Sequence, residues 1–205
     1  MYKFDITLQG TCPVFFNQWT RSAIASLEGT GGRGGKKTID DKIAEAPEKA
    51  YQDPITGMYY IPGNMLKASI VNGAKMANLK VLRRGLATYL KAVMFVHNAS
   101  LGVSEIPYLD RRVIPTSSGA DIQVRPAFGR YNYINDDGDL MPDEPWEAST
   151  TVFIGDDSID VTDVKKAIDT AGLYSAVGSH RPDYGRFRMV SSSALTKIQS
   201  DELVA

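Results

Sequence analysis

Apolar and polar positions recur along this chain with two different periods, and the order in which the periods change predicts most of its elements. Tyr2, Phe4, Ile6 and Leu8 alternate with Lys3, Asp5, Thr7 and Gln9, the period-two pattern of a half-buried strand. Leu66, Ile70, Ala74 and Ala77 follow at helical spacing after Pro62-Gly63-Asn64, and predict a helix to about Asn78 with Asn64 as its N-cap. Leu86, Tyr89, Leu90, Val93 and Met94 mark a second helical stretch over 85–97, with His97 at its end as a capping or core histidine. Residues 108–115 and 121–128 flank Thr116-Ser117-Ser118-Gly119-Ala120 and read as a hairpin. Residues 146–154, rich in β-branched and aromatic side chains, read as a strand. Thr162 is placed to cap a helix whose buried stripe is Val164, Ala167, Ile168 and Ala171. The chain then passes through a glycine-bounded loop into a last core strand at 186–190, with a short edge strand and a tail beyond it.

Residues 15–57 interrupt this rhythm. Positions 15–28 suit a loop or short helix, 29–35 (GTGGRGG) a flexible tip, and 37–51 a polar exposed helix, so the whole reads as an insertion. Gly29, Gly31 and Gly34 satisfy G-x-G-x-x-G, but no apolar strand precedes them, which removes the dinucleotide-binding context. Gly35-Lys36 fails as a phosphate loop, because Lys37 stands where Ser or Thr should bind magnesium and Thr30 where the first Gly should be. Asn135-Asp136-Asp137-Gly138-Asp139 is oxygen-rich but lacks the terminal bidentate Glu of a calcium loop, and is read as a turn within an acidic loop at 130–145. With the hairpin and the 146–154 strand in one sheet, the order predicts an α+β fold. It is a single domain over 1–205 with a ferredoxin-like (RRM-like) β-α-β-β-α-β core, an extra strand and insertions. Right-handed crossovers would place both helices on one sheet face and leave the other open.

Composition narrows the function classes. A chain of 205 residues that is 43% hydrophobic can bury a core of its own. No apolar run approaches the ~18 residues of a membrane span, and the N-terminus carries no signal-like apolar region. Cys12 is the single cysteine, so no internal disulfide can form, and the expectation is a cytoplasmic protein with no membrane partner. The net charge of −1 conceals segregation: residues 135–170 hold eleven Asp/Glu against two Lys, while the rest holds 13 acidic and 21 basic residues. A basic face is therefore available on a nearly neutral chain. Two histidines and one cysteine supply neither a Ser-His-Asp set nor a His/Cys metal cluster, so no cofactor and no metal are expected.

The loop Gly178-Ser179-His180-Arg181-Pro182-Asp183-Tyr184-Gly185 is the densest candidate chemistry. Its glycines suit positive φ, and Pro182 blocks a helix and biases Arg181 towards an extended conformation. Ser179, His180, Arg181, Tyr184 and Arg186 are thereby presented together. The run Gly178, Arg181, Tyr184, Gly185, Arg186, Phe187 resembles the glycine-rich loop of the CRISPR RAMP superfamily of RNA-binding proteins. Ile61-Pro62-Gly63 with Lys67 is similar to the turn that opens that superfamily's first core helix, with its basic residue a few positions in.

The resemblance implies a non-catalytic protein that binds single-stranded nucleic acid, RNA in preference to DNA, and assembles along the strand. Its closest analogue is the guide-RNA-binding backbone subunit of effector complexes, with further copies or other effector-complex subunits as partners. The implied contacts are Lys67, the hairpin residues Arg111, Arg112, Arg125 and Arg130, and the loop residues Ser179, His180, Arg181, Tyr184 and Arg186. Arg181 and Arg186 would meet successive phosphates, and Tyr184 would stack on a base. The acidic 135–170 segment departs from the pattern of an RNA-coating subunit and suits a stand-alone relative, for instance of viral or mobile-element origin. Two alternatives stay open: a structural or assembly protein without nucleic acid, and a metal-independent endoribonuclease using His180.

Overall fold

The alternation in residues 2–9 becomes an interior strand of the larger of two main sheets. The computed structural model describes residues 1–28, 37–117, 119–135 and 137–198. The elements are β1 (Tyr2–Gly10), β2 (Val14–Phe15), α1 (Arg21–Leu27), α2 (Ile39–Glu45, continued by a 3-10 turn at Ala46–Lys49), β3 (Tyr60–Ile61) and α3 (Gly63–Met76). There follow β4 (Lys80–Val81), β5 (Arg84–Gly85), α4 (Leu86–Val93), β6 (Met94–Val96), β7 (Ala99–Ser100), β8 (Tyr108–Thr116) and β9 (Gly119–Phe128). The last elements are β10 (Glu147–Ile154), α5 (Val161–Tyr174), β11 (Phe187–Ser192) and β12 (Thr196–Lys197). The fold is mixed α+β with antiparallel sheets.

The large sheet runs β11-β1-β10-β7-β3, with β6 also on β10 and β12 on β1. Phe4, Ile6 and Leu8 of β1 and Ala148, Val152 and Ile154 of β10 face the core. They meet Leu66, Ile70 and Ala74 of α3 and the expected α5 stripe of Val164, Ala167, Ile168 and Ala171, all of them fully buried. Apolar residues on one face of each strand and one stripe of each helix suffice for this layer, because burial is roughly proportional to apolar area and needs no directional partner.

The hairpin forms where its sequence predicts, but it is not part of the large sheet. β8 and β9 pair from Tyr108↔Ala127 to Thr116↔Gly119, and β2 joins β9 to make a separate three-stranded sheet. The strands beside β10 are instead β6 and β7, which the helical reading of 85–97 had absorbed. Helix α4 stops at Val93, and Met94–Val96 pairs with Val152–Ile154. His97 accordingly lies outside any helix and is exposed, not a cap or a core residue. Two caps also differ. Asn64 is already inside α3, whose Gly63 N–H is satisfied by the Asn98 side chain from across the corner at 3.0 Å. Asp160, not Thr162, caps α5, its carboxylate accepting from the Thr162 N–H at 2.8 Å.

The excursion at 15–57 is sewn into the molecule at both ends. Phe16 and Ala50 belong to the core, and Phe16 meets Tyr51 and Phe128 edge-on with ring centroids 5.7 and 5.6 Å apart. Lys42 reaches Asp121 at 2.6 Å and Lys49 the Val124 carbonyl at 2.8 Å, tying this segment to β9. The Gly-rich tip with Gly29, Gly31, Gly34 and Gly35-Lys36 lies outside the described residues. Among the described residues no helix is long and apolar enough to cross a membrane. Phe16→Ala is expected to lower the unfolding free energy by about 3–5 kcal/mol, the cost of a large aromatic cavity in a packed core. A urea titration with an unchanged midpoint would show that this segment does not support the core.

Candidate nucleic-acid interface

Helix α5 ends by turning into the loop at Ala176, whose φ of 57° lies in the left-handed region. Gly178 and Gly185 follow with φ of 79° and 74°, as their residue type suggests. Both also sit where a side chain has no room. A Cβ on Gly185 would lie 1.8 Å from the Val177 carbonyl oxygen, and one on Gly178 would lie 2.6 Å from that of Phe15. The close approach is made by backbone hydrogen bonds. Val177 N–H donates to Gly185 O (3.0 Å), Ser179 N–H to Phe15 O (2.7 Å) and Gly185 N–H to Pro13 O (2.8 Å). The Arg181–Pro182 peptide is cis, and Tyr184 N–H closes the turn onto His180 O at 3.2 Å.

The clamp brings residues from four elements together. The Tyr184 ring lies 4.8 Å from Phe15 of β2, and the Arg112 guanidinium of β8 sits 4.4 Å from the Tyr184 ring centroid and 4.9 Å from that of Phe15. Arg112 donates to Asp110 at 2.6 Å. Burial opposes its charge, but the bonds to Asp110 and Tyr184 prevail and hold its pKa above the ordinary arginine value. Arg125 pairs with Asp110 across the hairpin, is only 8% exposed, and bonds to Gln123. Its pKa is lowered first by burial and then by Arg112. His180 is exposed at a φ of 61° and is pushed below the usual histidine value, first by burial and then by Arg125 and Arg112. Asp110 is a carboxylate whose charge acts on Arg112, Arg125 and His180 alike.

Beside this cluster His180, Arg181 and Ser179 border an open cleft of about 580 Å³ that reaches Asn72 and Met76 of α3. Asn72 is also part of a second cleft, about 320 Å³, bordered by Asn64, Lys67 and Lys91. The exposed face of α3 thus runs from the loop to Lys67. Lys67 itself donates to the Lys91 carbonyl at 2.8 Å.

Other candidates fall elsewhere. Arg111 is exposed on the hairpin face opposite Arg112 and Arg125, because successive strand residues point to opposite sides. Arg130 stacks between Tyr108 and Tyr133, 5.2 Å from each ring, and borders a different cleft with Glu144 and Trp146. Arg186 is exposed, but its Nε folds back onto the Pro182 carbonyl at 2.9 Å. Tyr184 already has its ring against Phe15 and Arg112, so it anchors the loop before it can stack on anything else.

The outer face of the large sheet is occupied by its own pairings. Thr151 donates to Asp5 at 2.7 Å, Gln9 to Glu147 at 2.9 Å, and Arg188 to Gln9 at 3.1 Å. Phe15 and Asp110 join the site without being among the residues the sequence marks for it, although Val14-Phe15-Phe16 is an apolar run that fits a short strand. Among the described residues no group of His, Cys, Asp and Glu is arranged to hold a metal ion. No family model matches this chain, and no curated protein matches it.

Two measurements check this geometry. Gly57 has a φ of 70° and open space around it, so Gly57→Ala incurs backbone strain alone, about 1–2 kcal/mol. Gly185→Ala adds a collision with the Val177 carbonyl and should cost clearly more, above ~2 kcal/mol, in the same urea titrations. His180 should titrate below about 6.5 when followed by NMR, and Arg112→Gln should move it upward. A depressed histidine contributes stability that is fully present above the unfolded-state pKa and is lost as pH falls through the folded value. Titration of His180 at or above the ordinary value would mean that the arginines do not face it.

Proposed function

We propose that the protein binds single-stranded nucleic acid, RNA in preference to DNA, through the 178–185 loop and the adjoining face of α3. One observation carries this reading: Arg112 and the largely buried Arg125 share a single carboxylate, Asp110, beside the exposed His180 and Arg181. Partly buried positive charge without matching negative charge is costly unless an anion completes it. Here His180, on which both arginines act, borders an open cleft together with Arg181. A phosphate beside His180 and Arg181 would be held by charge-assisted hydrogen bonds, and its field would favour the protonated form of His180.

The strand order β11-β1-β10 followed by β6/β7, with α3 and α5 linking them in sequence, supports a ferredoxin-like core assembled from β6 and β7 in place of the hairpin strands. The positive-φ glycines and the helix opened by Pro62-Gly63 support the kinship with the CRISPR RAMP superfamily that their sequence suggests. Assembly along a strand, beside other copies or effector-complex subunits, belongs to the same reading. Placement favours a single strand: His180 and Arg181 border one cleft and Lys67 and Lys91 a second, and the two meet at Asn72 along α3. His180 stands among arginines, which suits phosphate contact. Incubated RNA should remain intact, and cleavage abolished by His180→Ala would replace this reading with an endoribonuclease.

The test is fluorescence anisotropy with a labelled ~30-nucleotide RNA and the DNA of the same sequence across a salt series. Binding should weaken with a logarithmic slope near ~0.7 per phosphate contact. Arg181→Glu combined with Arg186→Glu should weaken RNA binding at least about tenfold and flatten the slope by one to two contacts. Arg130→Glu, in a separate cleft, should change little. No salt-sensitive binding by the wild-type protein at low ionic strength overturns the assignment.

A further inference from the structure

The turn that opens α3 also shapes the far edge of the large sheet. A Cβ on Gly63 would lie 2.0 Å from the Val96 carbonyl oxygen and 2.8 Å from that of His97, so only glycine lets the helix press onto this corner. His97 is fixed there by its own backbone: its N–H donates to Thr151 O at 3.1 Å, and its carbonyl accepts from Thr150 Oγ1 at 2.7 Å. Alternation along β6 then turns Met94 inward and leaves Phe95 and His97 on the outer side.

Phe95 is 55% exposed, a large apolar ring left in water. His97 is exposed too, with its ring 4.7 Å from that of Phe153, the residue that pairs with Phe95 across the strands. Lys67 Nζ stands 5.3 Å from the Phe95 ring centroid. Neither Lys67 nor Lys91 forms an ion pair among the described residues. The nearby outer-face carboxylate, Asp5, is engaged by Thr151.

Two exposed aromatic rings with cations at their border are what a single strand of nucleic acid uses, because bases stack on rings while phosphates meet the charges. We infer that Phe95 and His97 form a base-stacking subsite, continuous through Lys67, Lys91 and Asn72 with the phosphate-binding loop. This rests on the nucleic-acid reading above and extends it to residues outside the loop and hairpin. Phe95 and His97 stand at positions i and i+2 of an extended chain, which sets their backbone positions about 6.6 Å apart. That is roughly twice the 3.4 Å repeat of a stacked strand, so they accept successive bases of an extended single strand. Bases in a duplex stay covered by their neighbours. Stacking on a ring is sequence-tolerant, and the subsite selects strandedness rather than sequence.

The experiment compares wild type, Phe95→Ala, His97→Ala, Phe95→Tyr and Arg181→Glu in anisotropy titrations with a labelled ~20-nucleotide RNA and an abasic strand of equal length. Both Ala variants should weaken RNA binding by at least about fivefold with an unchanged salt slope, since a stacked base releases no counterion. Phe95→Tyr should retain affinity, and the abasic strand should bind wild type and both Ala variants with nearly equal weakness. Circular dichroism melts should be unaltered, because Phe95 is a surface residue. If the Ala variants bind as wild type does while Arg181→Glu loses affinity, the subsite is wrong and the loop reading stands. If wild type binds neither strand, both fall. If Phe95→Ala leaves RNA affinity unchanged but alters sedimentation of the free protein, the rings are a protein contact, and the subsite is likewise overturned.

Discussion

A ladder of backbone hydrogen bonds between two chain crossings governs the arrangement of this protein. The β1–β2 connection supplies the carbonyls of Pro13 and Phe15 and the amide of Thr11, and the loop after α5 supplies the amides of Ser179 and Gly185 and the carbonyl of Arg186. β1 and β11 belong to the large sheet, whereas β2 pairs with β9 in the hairpin sheet. The same few bonds therefore close the edge of one sheet and fix the position of the other. Without them Arg112 would have no reason to lie over Tyr184, because the two are far apart in sequence and on different sheets. Phe15 and Gly185 are buried, so their carbonyl and amide have no satisfactory alternative partner in the folded state, which gives the junction its single geometry.

Electrostatics follow from that junction. Asp110, Arg112 and Arg125 are neighbours within the hairpin, where they would form an unremarkable strand-surface network. Docked against the loop, the network loses water, gains Tyr184 and His180 as neighbours, and sets its positive charge behind a histidine that borders a cleft. The outer face of the large sheet shows the contrast. Its Asp, Glu, Arg, Thr and Gln side chains neutralise one another across strands and offer a visiting polyanion little. At the β6 edge that face turns aromatic, with Phe95 and His97 exposed.

What local pattern can encode was legible. The β1 alternation, the α3 and α5 stripes, the hairpin and the positive-φ glycines all depend on residues within a few positions of one another, and all are present. Misreadings began where local signals were ambiguous. Leu86–Met94 carries a good helical stripe that continues into Phe95-Val96-His97, and nothing local says that pairing with β10 will pull the last residues out of the helix. Asn64 was the local candidate to cap α3, but the Gly63 amide is met by Asn98, which the corner brings to it from far along the chain.

The candidate site divides along the same line. The chain's own order placed Ser179, His180, Arg181 and Tyr184 between two glycines with Arg186 directly after the second, and residues so close along one short loop cannot separate far. It could not say which arginines of the hairpin would join them. Arg111 and Arg112 are equivalent in sequence, but strand pleating sends them to opposite faces, and only the docking of β2 onto β9 decides which face meets the loop. Residue type and spacing determined the elements and the loop's conformation, because those are short-range steric properties. The sheet assignment of the hairpin, the partners of Arg112 and the exposure of Phe95 were decided by tertiary structure, because each depends on long-range pairing that no local pattern carries.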